Sequence, residues 1–441
     1  MQSQNALGTL HARIIRLWDA SPKLTFLSPS ILFVLFLSIF PLIASLYLSM
    51  SRIRFVKGGF EITFIGFRNY EKLLTGSQER HFLGKYGEVT TEGYVVLVIL
   101  VSLMLIMLVR YCLREKIKPL GLIAASIFVY AADRYVPPLI NTLREADVSD
   151  EGLGSLYIET LLKLTVGIVI GLYIVNRVGA LGLVMRVVSI LFATRIIWVL
   201  IRTMSEGGLN EGGLPGTIGV TMIFAFGGVF FQYIFGLMLA MLVTQNLTGK
   251  RFFRIIFLLP MMITPVGIGF LFRMVTNTVL GPIAPIWKFV GLSEVTWAET
   301  AFGARTAVMV GDIWQWTPFM FIILLAALEG VSREQVEAGL VDGANGFQIF
   351  RYIVLPHILP VSTTLILIRL IEAFKIIDMP QVLTYGGPGT ATESTTLHVY
   401  NLWRAIDLGT SAALAYLLLI LVTFIALAYV NFFRSRVLEN L

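Results

Sequence analysis

Four ionisable side chains, Arg369, Glu372, Lys375 and Asp378, recur at three-residue spacing in an otherwise apolar stretch. On a helix, three-residue steps put neighbouring side chains on one face, so Glu372 can reach both Arg369 and Lys375. Charge inside an apolar run is costly unless it is paired or wetted, which makes each of these groups a functional candidate. Two readings stand side by side: a salt-bridge ladder that holds helices together, or a polar stripe facing a dissolved solute. Trp314, Gln315 and Trp316 offer the ring stacking and hydrogen bonding that sugars favour; read as a span end, the tryptophans are interfacial anchors instead. Gln232 and Asn277 are further polar groups in apolar surroundings. The candidate solute path is therefore Gln232, Asn277, Trp314, Gln315, Trp316, Glu372 and Asp378.

Bond-making chemistry has no comparable constellation. The string G-x-x-x-x-G-K-[ST] does not occur, so the chain is not expected to bind and hydrolyse ATP itself. His11, His81, His357 and His398 are scattered without metal-ligand spacing, and the single cysteine, Cys112, excludes an internal disulfide. No nucleophile has an identifiable base. The run Gly386-Gly387-Pro388-Gly389 reads as turn chemistry and lacks the lysine of a phosphate-binding loop. The expectation is a chain that is not an enzyme and holds no cofactor or metal of its own.

The elements that must position these groups follow from composition. Of 441 residues, 56% are hydrophobic and 14% charged, against about 25% charged in soluble domains. Apolar runs of roughly 18 residues or more recur from end to end, long enough to cross a hydrocarbon core as helices. They lack the alternation of barrel strands, so the fold class is an all-α polytopic membrane protein. About ten spans are predicted: 29–50, 93–109, 119–132, 156–175, 181–201, 217–245, 252–275, 305–328, 357–378 and 411–433. The first run is too long for a signal-peptide core and is expected to stay as an anchor. Membrane lipid is thus one partner. The net charge of +7 sits in short loops, where it sets orientation, and nucleic acid is not an expected partner. Arg110, Arg114, Lys116 and Lys118, and then Lys250, Arg251 and Arg254, mark two cytoplasmic loops. Counting spans between them places both termini and residues 329–356 in the cytoplasm. The basic residues of 51–92, among them Arg52, Arg54 and Lys57, run against this pattern and are diluted by Glu61, Glu71, Glu79 and Glu88.

The cytoplasmic stretch EGVSREQVEAGLVDGANGFQIFRYIVLPHILP, Glu329 to Pro360, is longer than a span-to-span turn requires. Ser332 followed by Gln335 has capping-box spacing and predicts a helix from Arg333; Gly343 can end it in a left-handed conformation. A second short helix, 347–354, is predicted to stop at Pro356. Val336, Leu340, Phe347 and Ile353 are the apolar groups expected on its surface. Such a hairpin either docks onto a partner protein or lies on the bilayer.

Glu337-Ala338-Gly339, Gly343, Ile353 and Leu355-Pro356 at these spacings resemble the EAA loop of binding-protein-dependent ABC importer permeases. Gly339 stands where the second alanine of that motif usually lies. The segments RFFRIIFLLPMMITP, GDIWQWTPF, AFKIIDMPQVLTYGGPGTATE, IDLGTSAALAY and FIGFRNY are similar to the carbohydrate-uptake branch, the maltose-transporter type. The resemblance implies a six-helix type I permease core made of the first span and the last five. It also implies that 77–215 is an insertion carrying about four extra spans. Domain bounds on this reading are an N-terminal tail 1–28, a first core span and external segment 29–76, the insert, a core 216–433 containing the coupling loop 329–357, and a tail 434–441. The resemblance further implies a multi-pass protein of the bacterial inner membrane. Its expected partners are a second related permease, two ATPase subunits that hold ATP and magnesium, and an external solute-binding protein. ATPase coupling is expected through Glu337, Ala338, Gly339, Asp342, Gly343, Ile353, Leu355 and Pro356. The rival reading is a secondary transporter or channel for a small polar solute, with Arg369 to Asp378 as an ion path.

Overall fold

The computed structural model describes residues 22–85, 88–114, 194, 197–198, 210–211, 214–245, 249–295 and 297–438. Helix α1 (Pro22–Ser49) is an uncharged apolar rod after Lys23, with Leu32 and Phe36 about two-thirds exposed, as a lipid-facing helix should be. A hairpin of β1 (Ser51–Val56) and β2 (Gly59–Phe64) follows, then the short helices α2 (Arg68–Leu74) and α3 (Glu79–Phe82). Strand β3 (Gly84–Lys85), β4 (Glu88–Val89) and helix α4 (Thr91–Arg114) open the stretch read above as an insertion, and β5 (Asn210–Glu211) and β6 (Leu214–Pro215) close it. Antiparallel pairing of Gly84 with Pro215 and of Glu88 with Glu211 means that the chain leaves and re-enters at one place. Gly216 makes that closure possible: a Cβ there would sit 2.3 Å from the backbone of Phe82 and Gly84.

The remaining elements form the main bundle. They are α5 (Thr217–Met222), joined by a π-turn at Ile223–Gly227 to α6 (Gly228–Thr244); α7 (Lys250–Met262); α8 (Pro265–Val275); α9 (Ala284–Phe289); and α10 (Ala301–Glu329). Then come α11 (Arg333–Val341), α12 (Gly346–Ile349), a π-turn at Phe350–Val354, α13 (Leu355–Ala373), α14 (Asp378–Leu383), α15 (Thr395–Arg404) and α16 (Leu408–Leu438). Among the described residues five helices are long and apolar enough to cross a membrane, or six if α7 and α8 make one span. The predicted helix at 93–109 is present as α4, although its apolar part, Thr91–Met107, is short. The predicted spans at 119–132, 156–175 and 181–201 lie outside the described residues, apart from isolated positions in the last.

The core sits where α6, α10 and α13 meet, around Phe321, Leu324, Met320 and Ile358, all fully or almost fully buried. Between helices in lipid, close packing replaces the hydrophobic drive, and small residues permit it. Gly236 illustrates this, since a Cβ would come within 2.5 Å of the Met320 Cβ. The FIGFRNY segment clasps the first helix. Asn69 donates to the carbonyls of Ser49 (2.8 Å) and Ser51 (3.0 Å), and the Tyr70 and Ser49 hydroxyls lie 2.8 Å apart.

Three expectations need correction. Residues 252–275 do not form one straight span: α7 and α8 meet at 95°. Pro265 lacks an amide hydrogen, and Thr264 takes over as N-cap by accepting from the Gly267 amide, so a new helix starts there. The run 357–378 is not one helix either. It ends at Ala373, and the hydroxyls of Thr396 and Ser394 donate to the freed carbonyls of Phe374 and Ile376. Finally, Pro356 does not stop the loop's second helix. The π-turn before it absorbs the missing amide, and the helix runs on from Gly346 to Ala373.

Candidate functional site

At the end of the bundle carrying residues 330–354, α11 begins at Arg333 as predicted, but the Ser332 side chain makes no cap hydrogen bond. The capping box is one helix later: Asn345 Oδ1 accepts from the Gln348 amide at 2.9 Å and Gln348 Oε1 from the Asn345 amide at 2.8 Å. Gly343 has φ +79°, a left-handed conformation in which a Cβ clashes with the following carbonyl, and it swings the chain from α11 into α12. Glu337, Ala338, Asp342 and Gly343 are exposed, and neither acid makes a side-chain hydrogen bond or ion pair among the described residues. Leu340, Val341, Phe347 and Tyr352 present the apolar surface, with Val341 87% and Phe347 74% exposed. Val336 and Ile353 are half-buried, contrary to the surface expected for them. Gly339 has a local reason to be small: its Cβ would meet Ile353 Cδ1 at 2.9 Å. Leu355 and Pro356 begin α13, half-buried against the bundle. Arg254 pairs with Glu329 beside this element, fastening the start of α7 to the end of α10.

Deep in the bundle a polar knot links three helices. Arg369 of α13 donates from Nη2 to Asp312 Oδ2 of α10 at 2.8 Å and from Nε to Gln232 Oε1 of α6 at 2.9 Å. Gln232 Nε2 donates back to Asp312 Oδ2 at 2.8 Å. The guanidinium also lies 4.6 Å from the Trp316 ring centre. All three polar partners are buried, so in lipid each needs the others. The ladder expected along α13 is thus divided. Arg369 turns inward to Asp312, while Glu372 forms its ion pair with Lys375, at 2.6 Å, with both half exposed. Asp312 escaped the candidate set although it lies in an apolar run, the signal that singled out the others.

Gln315, Trp316, Glu372 and Asp378 line one small cleft of about 120 Å³, together with Asp312, Arg369 and Lys375. Gln232 lies behind it in the knot. Trp314 points elsewhere, into an apolar groove of about 560 Å³ between α6, α7 and α10. Asn277 borders a third cleft, about 450 Å³, with Arg273, Glu299 and Tyr385. Its side-chain oxygen is engaged by the amides of Val279 and Leu280.

The end of the bundle opposite the 330–354 loop carries two more ionic contacts. Lys72 pairs with Asp407, joining α2 to the start of α16. Burial pushes the Asp407 carboxyl up, but hydrogen bonds from Lys72 and Thr410, with the lysine's charge, hold it below the usual carboxylate range. Glu393 accepts from His81 Nε2 at 2.6 Å, Asn401 Nδ2 at 2.9 Å and His398 Nδ1 at 3.1 Å. Burial again opposes ionisation, yet the donors from His398, His81 and Asn401 hold Glu393 well below its ordinary value. Two of the four histidines, apparently scattered, are therefore neighbours.

Residues 232–437, which contain every solute-path and coupling position named above, match the family model of the binding-protein-dependent transport system inner membrane component. The trehalose/maltose transport system permease protein MalF of Thermococcus litoralis is 34% identical over 217 residues, 49% of this chain and 74% of that relative. The sn-glycerol-3-phosphate transport system permease protein UgpA of Pectobacterium atrosepticum is 33% identical over 227 residues, again 49% of this chain and 74% of the relative. The chain belongs to this family of importer permeases. A solved bacterial ABC transporter involved in import of the acidic polysaccharide alginate is similar at 22% identity and TM-score 0.46, over 50% of this chain and 78% of that one. As a permease of this family the chain is a multi-pass membrane protein and a translocation subunit of a binding-protein-dependent importer. The matched half of the chain holds both the exposed 330–354 loop and the buried knot, while residues before 232 lie outside the family match.

Proposed function

We propose that this permease carries a sugar or sugar-like solute and couples its movement to ATP hydrolysis on separate ATPase subunits through residues 329–357. The observation that carries the reading is the exposed helix pair α11–α12, whose exposed Glu337, Leu340, Phe347 and Tyr352 offer a charge and an apolar ridge to a protein groove. The sugar assignment rests on the names of relatives, for trehalose/maltose and for starch degradation products, and on the cleft where Trp316, Gln315, Glu372 and Asp378 converge. An aromatic face beside amide and carboxylate acceptors suits a polyhydroxylated ring. On this reading the loop and both termini face the cytoplasm. ATP and magnesium stay on the two ATPase subunits, a second related permease completes the path, and an external binding protein delivers the solute.

Uptake of radiolabelled sugar by cells carrying Glu337→Lys with Gly343→Val tests the coupling. Transport should fall to background while the amount of chain in the membrane is unchanged. Uptake at the wild-type rate would overturn it. Trp316→Ala tests the solute path separately, through a higher KM for uptake.

A further inference from the structure

We propose that His81, Glu393 and His398 form a binding site for one divalent transition-metal ion of the zinc class, at the end of the bundle opposite the 330–354 loop. One donor atom from each of the three residues lies within 4.8 Å of the other two. The two imidazole rings are packed with centroids 4.0 Å apart, and each reaches a different oxygen of the Glu393 carboxylate. Two neutral imidazoles and a carboxylate are the ligand set zinc takes when a fourth position is left to water.

The hydrogen bonds of the cluster show where a cation would enter. A neutral imidazole has one donor nitrogen and one acceptor nitrogen. With Nδ1 donating to Glu393, His398 leaves a bare lone pair on Nε2, which is buried and has no hydrogen-bond partner among the described residues. The His398 side chain is 3% exposed, so water does not readily complete it. A cation held by all three residues would enter at the His81 Nε2–Glu393 and His398 Nδ1–Glu393 contacts, each imidazole then carrying its hydrogen on the other nitrogen. Asn401, donating to Glu393 Oε1 at 2.9 Å, fixes the carboxylate's orientation from outside the ligand set.

The site also has a structural use. His81 belongs to α3, immediately before the strand pairs that bracket residues 90–209, while Glu393 lies just ahead of α15 and His398 in its first turn, between α13 and the last long helix. A metal there would pin the entrance of the bracketed segment to the permease bundle. The three ligands lie apart from the Trp316 cleft and from the 330–354 loop, so the site is independent of the solute and of coupling to an ATPase.

The test uses the full-length chain in lipid nanodiscs, with its affinity tag removed and metals stripped by a chelator. Zinc chloride is then titrated in competition with a chromophoric chelator, and cobalt chloride is added to a second sample to record visible absorption. One zinc per chain is expected, with cobalt bands of tetrahedral type. His81 is the ligand with solvent access, at 33% side-chain exposure, so His81→Gln should keep the fold. It should weaken zinc binding by at least about tenfold, since even changes outside the ligand set cost roughly 10–100-fold. His398→Gln should do the same and Cys112→Ser nothing. Zinc binding by wild type that is absent, or equal to that of a well-folded His81→Gln protein, would overturn the proposal and leave the cluster as a hydrogen-bonded latch.

Discussion

Arg369 and Asp312, 57 positions apart in the chain, meet at 2.8 Å inside the bundle, and Gln232 bridges both. The contact ties α13, α10 and α6 at the level of the Trp316 cleft. Removing one member of a buried pair typically costs about 3–5 kcal/mol, because the other charge is stranded, whereas replacing both with apolar groups costs far less. Asp312→Ala should therefore lower the thermal unfolding midpoint of the purified protein sharply, and Asp312→Leu with Arg369→Met should recover most of the loss. A double variant as unstable as the single would mean that the knot acts through something other than charge pairing.

Gly339 and Gly343 are both glycines of the 329–357 loop, yet they should respond differently. At Gly339 a new methyl meets the flexible tip of Ile353 at 2.9 Å and Ile349 Cγ1 at an ordinary 3.7 Å, so Gly339→Ala should change stability by no more than about 1 kcal/mol, the helix preference of alanine offsetting the turn of that tip. Gly343→Ala has open space but a positive φ, and should cost about 1–2 kcal/mol of loop order. Hydrogen exchange at α11 and α12 amides distinguishes the two.

The Lys72–Asp407 pair predicts acid sensitivity of a defined sign. Its carboxyl titrates below its ordinary 3.8 in the native state, so the unfolded chain binds the proton more readily. The stabilisation is complete above pH 3.8 and fades as pH falls through the lower native value. Because both side chains are 35% exposed, its size should be within about 1 kcal/mol. Asp407→Asn should lower stability at pH 7 and converge on wild type in acid; an unchanged gap at low pH would contradict the assignment.

The paired strands β3–β6 and β4–β5 bring Glu88 opposite Glu211 and Gly84 opposite Pro215. Deleting residues 87–212 and joining the stubs with a two-residue Asn-Gly turn should leave a chain that inserts and takes up solute, because the bundle from α5 onward meets itself without them. Conversely, Gly216→Val should abolish accumulation, since its Cβ has backbone 2.3 Å away. Membrane fractionation with an antibody to the C-terminus reads both outcomes.

Apolar run length made α1, the α5–α6 rod, α10 and α16 legible before any coordinates, because a span is a one-dimensional property. The 95° corner between α7 and α8 was not: Pro265 and Thr264 were visible, but hydropathy carries no direction. Neighbour spacing along one helix suggested the Glu372–Lys375 pair and missed Arg369–Asp312, since partners on different helices have no common period. The histidine cluster was hidden for the same reason, its members lying 312 and 5 positions from Glu393. The loop was readable through its motif, while its capping box moved from Ser332 to Asn345 because both satisfy the same spacing rule.

The π-turn at Phe350–Val354 sets the helical phase between the exposed loop and the buried knot. A π-turn holds one residue more than the α-turn it replaces, and one residue of α-helix corresponds to about 100° of rotation. Deleting a single residue from 350–354 would thus let an ordinary α-turn close and leave Phe347 facing as before, whereas adding one there would re-aim Phe347 and everything before it by roughly a quarter-turn around the axis of α13. Arg369, beyond the insertion, would keep its partners. The rod would stay intact and the ridge it carries would face the wrong way.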